Sequence, residues 1–372
     1  MARKYSGSGY ESYCGRRSSR TGTALKWIIV FLLAVLVVAV GFYFMLQNGL
    51  IYDDNGVHVA PPWKRPEASA SPPPPVSVPP QPSDAAPTDT ILVLETPEPS
   101  PSLTPRDLAR QTLQAVEISP TVLLSGRAAQ QVEQAGGNAA LVEMKKDDGT
   151  LAYVSSVELA ISQKASGSDT EVNRAIRELV DGDCYTIARV SCFRDDIFGG
   201  IESFALLSNS GYRWRDANGM RWSCAGKEAT RKYIVDLCVE LAQMGFDEIL
   251  LTNCGYPPNG TGEMGWLRRD ATYPWGSLDT VVGPFLAQVK AALEPYGTAL
   301  SVEALGKELA GEEQATGLTL NNVLANCDHV WLDKADAETY AQTFAPSSAR
   351  EKLVTMSALA GGKDEPWALV AE

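Results

Sequence analysis

Histidine is nearly missing from this chain: His58 and His329 are the two present among 372 residues. A histidine-rich zinc centre is therefore excluded. The seven cysteines offer no substitute, because none is spaced Cys-x-x-Cys and a domain of some 250 residues needs no disulfide framework. Cys184, Cys192, Cys224, Cys238, Cys254 and Cys327 read as buried free thiols. No glycine-rich phosphate loop follows an early strand, and no cofactor is expected. Positive charge is also short, with 32 Lys and Arg against 45 Asp and Glu and a net charge of −13. Nucleic acid and bare anionic surfaces would not be drawn to such a molecule.

What charge there is lies unevenly. Residues 1–26 hold six Lys or Arg against Glu11, which leaves −18 for residues 47–372. Between them runs WIIVFLLAVLVVAVGFYFML, residues 27–46, uncharged and apolar throughout. Twenty such residues make about 30 Å of helix, enough to span a bilayer core. With basic residues before the run and Asp53 and Asp54 after it, the positive-inside rule expects a cytoplasmic N-terminus and an extracytoplasmic remainder at the cell membrane. A cleaved signal peptide would call for a shorter apolar core and a small-residue cleavage site, and neither is evident. The run reads as a single-pass signal-anchor.

Residues 47–118 read as a linker. Fifteen of the 23 prolines fall between positions 60 and 105, mixed with Ser, Ala and Thr. This composition builds no core and favours extended polyproline II. ILVLE at 91–95 is an apolar spot within it.

From 119 to 372 the pattern turns rhythmic. Short apolar runs recur as TVLLSG (121–126), AALVEMK (139–145), YTIARVSC (185–192), EILLTN (248–253), ALSVEA (299–304), HVWL (329–332), LVTM (353–356) and WALVA (367–371). Amphipathic helices are expected between several of them. One opens on a Ser168–Glu171 capping box and stops at Gly182; another is interrupted or restarted at Gly283-Pro284. Eight strands alternating with helices over this length predict a (β/α)8 TIM barrel, with an open doubly wound sheet as the alternative.

In such barrels catalytic groups stand at the C-terminal ends of the strands. Alternation puts Leu141, Glu143 and Lys145 on one face, Ile187, Arg189 and Ser191 on another, and Ser301 with Glu303 on a third. Charged groups embedded in buried strands are rare unless paired or functional. Glu143 and Glu303 are thus a candidate carboxylate pair, with Arg189 and Lys145 to orient them; an ion-pair network filling the mouth is the plainer reading. Asp333 serves equally as a third acid or as a helix N-cap. Aromatic residues gather in the expected loops, Trp214, Tyr256 and Trp266 among them. Their faces suit the apolar side of sugar rings, or simply pack the loops against the barrel.

Four stretches carry a family resemblance: NAALVEMKKDDGTLAY, YTIARVSCFRDD, GFDEILLTNCGYPP and ALSVEALG. They resemble N-A-x-V-I-D-V-K-D, Y-x-I-A-R-x-x-x-F-K-D, G-F-D-E-I-Q-F-D-Y-x-R-F-P and L-S-V-D-V-F-G of the bacterial putative glycoside hydrolase domains, which are placed near the amylase-like barrels. The resemblance spans residues 119–372 and implies a TIM barrel with a carbohydrate-related role. By analogy with amylase-like barrels, the strand-4 acid is the nucleophile and the strand-5 acid the proton donor. Here Thr252 stands where the family has the strand-4 Asp, Gly255 where it has Arg, and Glu143 and Glu303 where it has Asp. A threonine hydroxyl cannot replace a carboxylate at an oxocarbenium-like centre.

Three readings follow. The first is a glycoside hydrolase with Glu303 as acid/base and Glu143 as second carboxylate. The second is a barrel that binds cell-envelope polysaccharide or oligosaccharide without cleaving it. The third is a membrane-tethered domain that docks another protein. Lys145, Arg189, Asn253, Tyr256, Trp214, Trp266 and Asp333 are the expected substrate contacts.

Overall fold

The computed structural model describes residues 50–53, 56–59, 104–258, 261–263 and 265–370. The chain divides into two compact units, Met1–Leu94 and Glu95–Glu372. The apolar run at 27–46 lies outside the described residues, among which no helix is long and apolar enough to cross a membrane. In the first unit, Leu50–Asp53 pairs antiparallel with Gly56–Val59. This hairpin lies within the tract read above as a featureless linker. Its sequence signal is the run Asp53-Asp54-Asn55-Gly56 of turn-favouring residues between the apolar positions of 50–52 and 57–59.

The second unit is a closed barrel of eight parallel strands. They are β1 (Gln114–Ile118), β2 (Ala139–Lys145), β3 (Tyr185–Ser191), β4 (Glu248–Thr252), β5 (Ala299–Glu303), β6 (His329–Asp333), β7 (Leu353–Ser357) and β8 (Trp367–Leu369). Each pairs with the next, and β8 pairs with β1 to close the ring. This is the (β/α)8 arrangement expected, with one strand corrected. TVLLSG is not a strand, because Pro120 and the Ser119 hydroxyl start the helix Pro120–Leu124 there. The first strand is QAVEI, so the barrel begins ahead of residue 119. It is preceded by the helix Pro105–Gln111, capped by Thr104 and Asp107 in a reciprocal box.

That helix sends Ala109, and the turn after it Leu113, into the barrel interior against Ala115, Leu141, Ile187, Leu250 and Trp331. The opposite strand faces (Val116, Val142, Val190, Leu251, Val302, Val330) join the larger core under the surrounding helices. The helices Thr170–Val180, Glu228–Gln243 and Asp279–Leu293 bury the faces their periodicity marks. Two details differ from expectation. The first of these helices is capped by Asp169 rather than Ser168. The third runs unbroken past Pro284, which sits near enough to its start to forgo few bonds. The six cysteines of the barrel are all free, five of them buried.

At the N-terminal end of the barrel Glu248, fully buried, accepts from the Tyr185 hydroxyl at 2.9 Å and meets His329 Nδ1 at 3.1 Å. A carboxylate in that position is tolerable only because it is paired.

Candidate functional site

Glu143 ends the inward face of β2 and Glu303 that of β5, three strands apart. Burial pushes the carboxyl of Glu143 above its usual 4.5, against the opposing pull of Arg189 and Lys146. Burial raises Glu303 likewise, with Arg189 opposing and Asp147 adding to the rise. Both therefore hold protons more tightly than free glutamate, the bias a proton donor needs. Arg189, on β3, exerts its field on both but forms its ion pair with neither. Its Nη1 lies 3.6 Å from Glu117 Oε1, a third carboxylate at the mouth, contributed by β1.

The two glutamates open into different hollows. Glu143 and Glu117 line a cavity of about 620 Å³ whose other walls are mostly aliphatic, including Val116, Leu123, Val142 and Val172, with Ser119, Gln131 and Lys146 among them. Glu303 lines a smaller one of about 100 Å³ together with Asn253, Tyr256, Trp222 and Thr316. The inward residues of the strands flanking Glu303 are Thr252 on β4 and Trp331 on β6, the latter directly in register with it. Both side chains are buried, and among the described residues neither Thr252 Oγ1 nor Trp331 Nε1 has a hydrogen-bond partner. Buried polar atoms without partners are uncommon and mark places where water or a ligand completes the bonding.

Asn253 shows how the mouth is assembled. Its backbone is left-handed, with φ of 47°. Its side-chain amide donates to Asp147 Oδ1 at 2.9 Å and to Ser191 Oγ at 3.0 Å, tying the ends of β2, β3 and β4 together. Arg194 bridges the same Asp147 to Asp216. Tyr256 is buried, donates its hydroxyl to Thr272 O at 2.7 Å and offers its ring to the Glu303 hollow.

Three expected substrate contacts are occupied elsewhere. Lys145 does not share a face with Glu143, because the register shifts between the two. Its ammonium is buried 2.8 Å from Asp195 Oδ2 and donates to Ser191 O, so it braces the loops instead of orienting a glutamate. Trp214 is 1% exposed and its indole N–H donates to Gly265 O at 2.8 Å. Asp333 is the N-cap of the helix Lys334–Thr339, accepting from Ala335 N. Trp266, by contrast, is exposed. Glu117 was missed because β1 was displaced onto the following helix. Its signal was present in the alternation of QAVEI, the same pattern that marked Glu143.

Gly255, where the resembled family has an arginine, has a structural reason. Its φ is 142°, and a Cβ would lie 2.3 Å from Thr316 O. The intruding loop is held by the Glu308 carboxylate, which accepts from the backbone N–H groups of Ala315, Thr316 and Gly317. A side chain at 255 has no room unless that loop leaves.

The family model described as "Putative glycosyl hydrolase domain" matches residues 124–331, from the first helix after β1 to the middle of β6. The chain belongs to this family. Several solved structures are similar to the chain. A hypothetical protein from Ruminiclostridium thermocellum is similar at 23% identity and a TM-score of 0.44, covering 50% of this chain and 96% of that one. The glycoside hydrolase domain of PgaB (BpsB) from Bordetella bronchiseptica is similar at 12% identity and a TM-score of 0.48, covering 68% and 92%. A beta-N-acetylhexosaminidase from Bacteroides fragilis is similar at 11% identity and a TM-score of 0.43, covering 67% and 50%. No curated protein matches the chain.

Proposed function

We propose that this putative glycosyl hydrolase domain is a membrane-anchored, extracytoplasmic barrel that binds cell-envelope glycan at its mouth and cleaves it feebly or not at all. The observation that carries the reading is the composition of the β4 end. The position that the family resemblance assigns to the catalytic Asp is Thr252, whose buried hydroxyl has no hydrogen-bond partner among the described residues, beside a protonation-biased Glu303. Glu303 retains the character of a general acid, while the group meant to attack or stabilise the sugar is gone. The separation of Glu143 and Glu303 into two hollows supports the same conclusion, since a single glycosidic bond must be reached from both carboxyls. The basic residues before the apolar run 27–46, and the acidic remainder after it, support the anchored orientation.

The test uses the full chain in detergent against a panel of envelope polysaccharides, measuring retention and new reducing ends together. Retention with few or no new ends is expected. Brisk hydrolysis that survives Glu303→Gln would overturn the site, and absence of retention on every polysaccharide would overturn the glycan reading. Protease added outside wall-free cells should release the barrel by cutting within residues 60–103; complete resistance would reverse the orientation.

A further inference from the structure

Two tryptophans on the loops above the barrel are exposed in one hollow. Trp266 is 59% and Trp275 47% exposed, large values for so apolar a side chain. They flank a concavity of about 240 Å³ with Asn209, Arg269 and Tyr273 on its walls. Pockets for drug-sized ligands run to about 300–1,000 Å³, so this one is scaled to a single monosaccharide ring.

The platform is built rather than incidental. Trp266 ends a short hairpin, Thr261–Gly262 paired with Gly265–Trp266, which rests on buried Trp214. Asn209 N donates to Trp266 O at 2.9 Å. Gly262 fits because it lacks a side chain, since a Cβ would lie 2.1 Å from Arg215 O and 2.8 Å from the Trp214 ring. Tyr273 is 5.9 Å from the Trp275 ring and 5.0 Å from that of Tyr256. Tyr256 lines the Glu303 hollow, so two touching rings join the platform to the barrel mouth.

Its charge runs against that of the molecule. Residues 201–227 and 261–275 carry six Lys or Arg against four Asp or Glu, in a chain of net charge −13. Ion pairs already engage Asp216 with Arg194, Asp270 with Arg268, and Arg215 and Arg221 with Asp196, and Arg269 is in none of them. Arg269 is exposed with its guanidinium 5.0 Å from the Trp275 ring centroid, and among the described residues no carboxylate lies within 4.0 Å of it. A guanidinium beside an aromatic face is a cation left available for an anion, with the ring to hold what carries it.

We propose that this hollow is a subsite for an acidic sugar unit, one ring stacked on Trp266 or Trp275 and its anionic group on Arg269. The inference rests on the glycan-binding reading above and adds the chemical class of the glycan. Carboxylate and phosphate substituents share the required chemistry. The full chain is titrated with polygalacturonate, with a phosphate-bearing mannan and with neutral dextran, at low and at high salt. At least one acidic polymer is expected to bind on the order of 10-fold more tightly than dextran at low salt, and to lose that advantage at high salt. Whichever acidic polymer binds better identifies the anionic group. Arg269→Gln should erase the preference, with an unchanged circular dichroism spectrum. Trp266→Ala or Trp275→Ala should weaken binding of the acidic polymer on the order of 10-fold, with an unchanged circular dichroism spectrum. Equal binding of acidic and neutral polymers would overturn the subsite and leave glycan binding standing. So would an acidic preference that persists in all three variants. No binding of any polymer would overturn both.

Discussion

Replacing Lys145 with methionine separates a brace from a substrate contact. The ammonium lies 2.8 Å from Asp195 Oδ2, with both side chains 1% exposed. At that separation and an effective dielectric constant of about 20, the attraction is on the order of 6 kcal/mol. Desolvating each ion costs several kcal/mol, so the intact pair contributes little net stability. Removing one partner is different. Asp195 would keep the Phe198 N–H at 2.8 Å but would be left a buried charge without a counterion. Lys145→Met should therefore destabilise the barrel by about 3–5 kcal/mol in urea unfolding followed by tryptophan fluorescence. Asp195→Asn keeps an acceptor for Phe198, so the double variant should recover most of the loss, with a coupling of about 2 kcal/mol or more. Glycan retention by the folded fraction should be unaffected. A loss below about 1 kcal/mol, strict additivity, or intact stability with abolished retention would refute the reasoning.

Three further outcomes are expected. Because burial raises the Glu303 carboxyl above 4.5, its ionisation opposes folding, so Glu303→Gln should stabilise the protein at neutral pH and lose that gain below about pH 4.5; denaturation at both pH values checks it, and destabilisation at neutral pH would refute it. Burial alone would lower His329, but Glu248 outweighs it and raises the imidazole above 6.5, while Glu248 itself, despite burial, is held below 4.5 by His329. Their contribution is complete between about pH 4.5 and 6.5 and is lost as pH rises through the folded value of His329 or falls through that of Glu248. His329→Gln should flatten the stability profile above pH 6.5, and an unchanged alkaline limb would count against the pair. Trp214→Ala should cost about 3–5 kcal/mol through the cavity it leaves, and should disorder the Trp266 hairpin; weakened retention at wild-type stability would instead make Trp214 a direct contact.

The sequence by itself determined the class of fold and most of its strands. Seven of the eight strands were legible because a barrel strand must present one apolar face to the helices, and period-2 alternation in short runs records that demand. The inward placement of Glu143, Arg189 and Glu303 followed from the same alternation. What it did not determine is what each polar side chain meets. A two-residue alternation cannot register the shift between Glu143 and Lys145, so it put Lys145 at the mouth when the backbone turns it into Asp195. Composition cannot tell an aromatic that faces sugar from one that supports it, so Trp214 and Trp266 looked alike until the hairpin lay across one of them. Local propensity could also have started β1 on either side of Pro120, and only closure against β8 requires QAVEI to be the strand. These features depend on contacts between segments far apart in the chain, whose energies no local pattern contains.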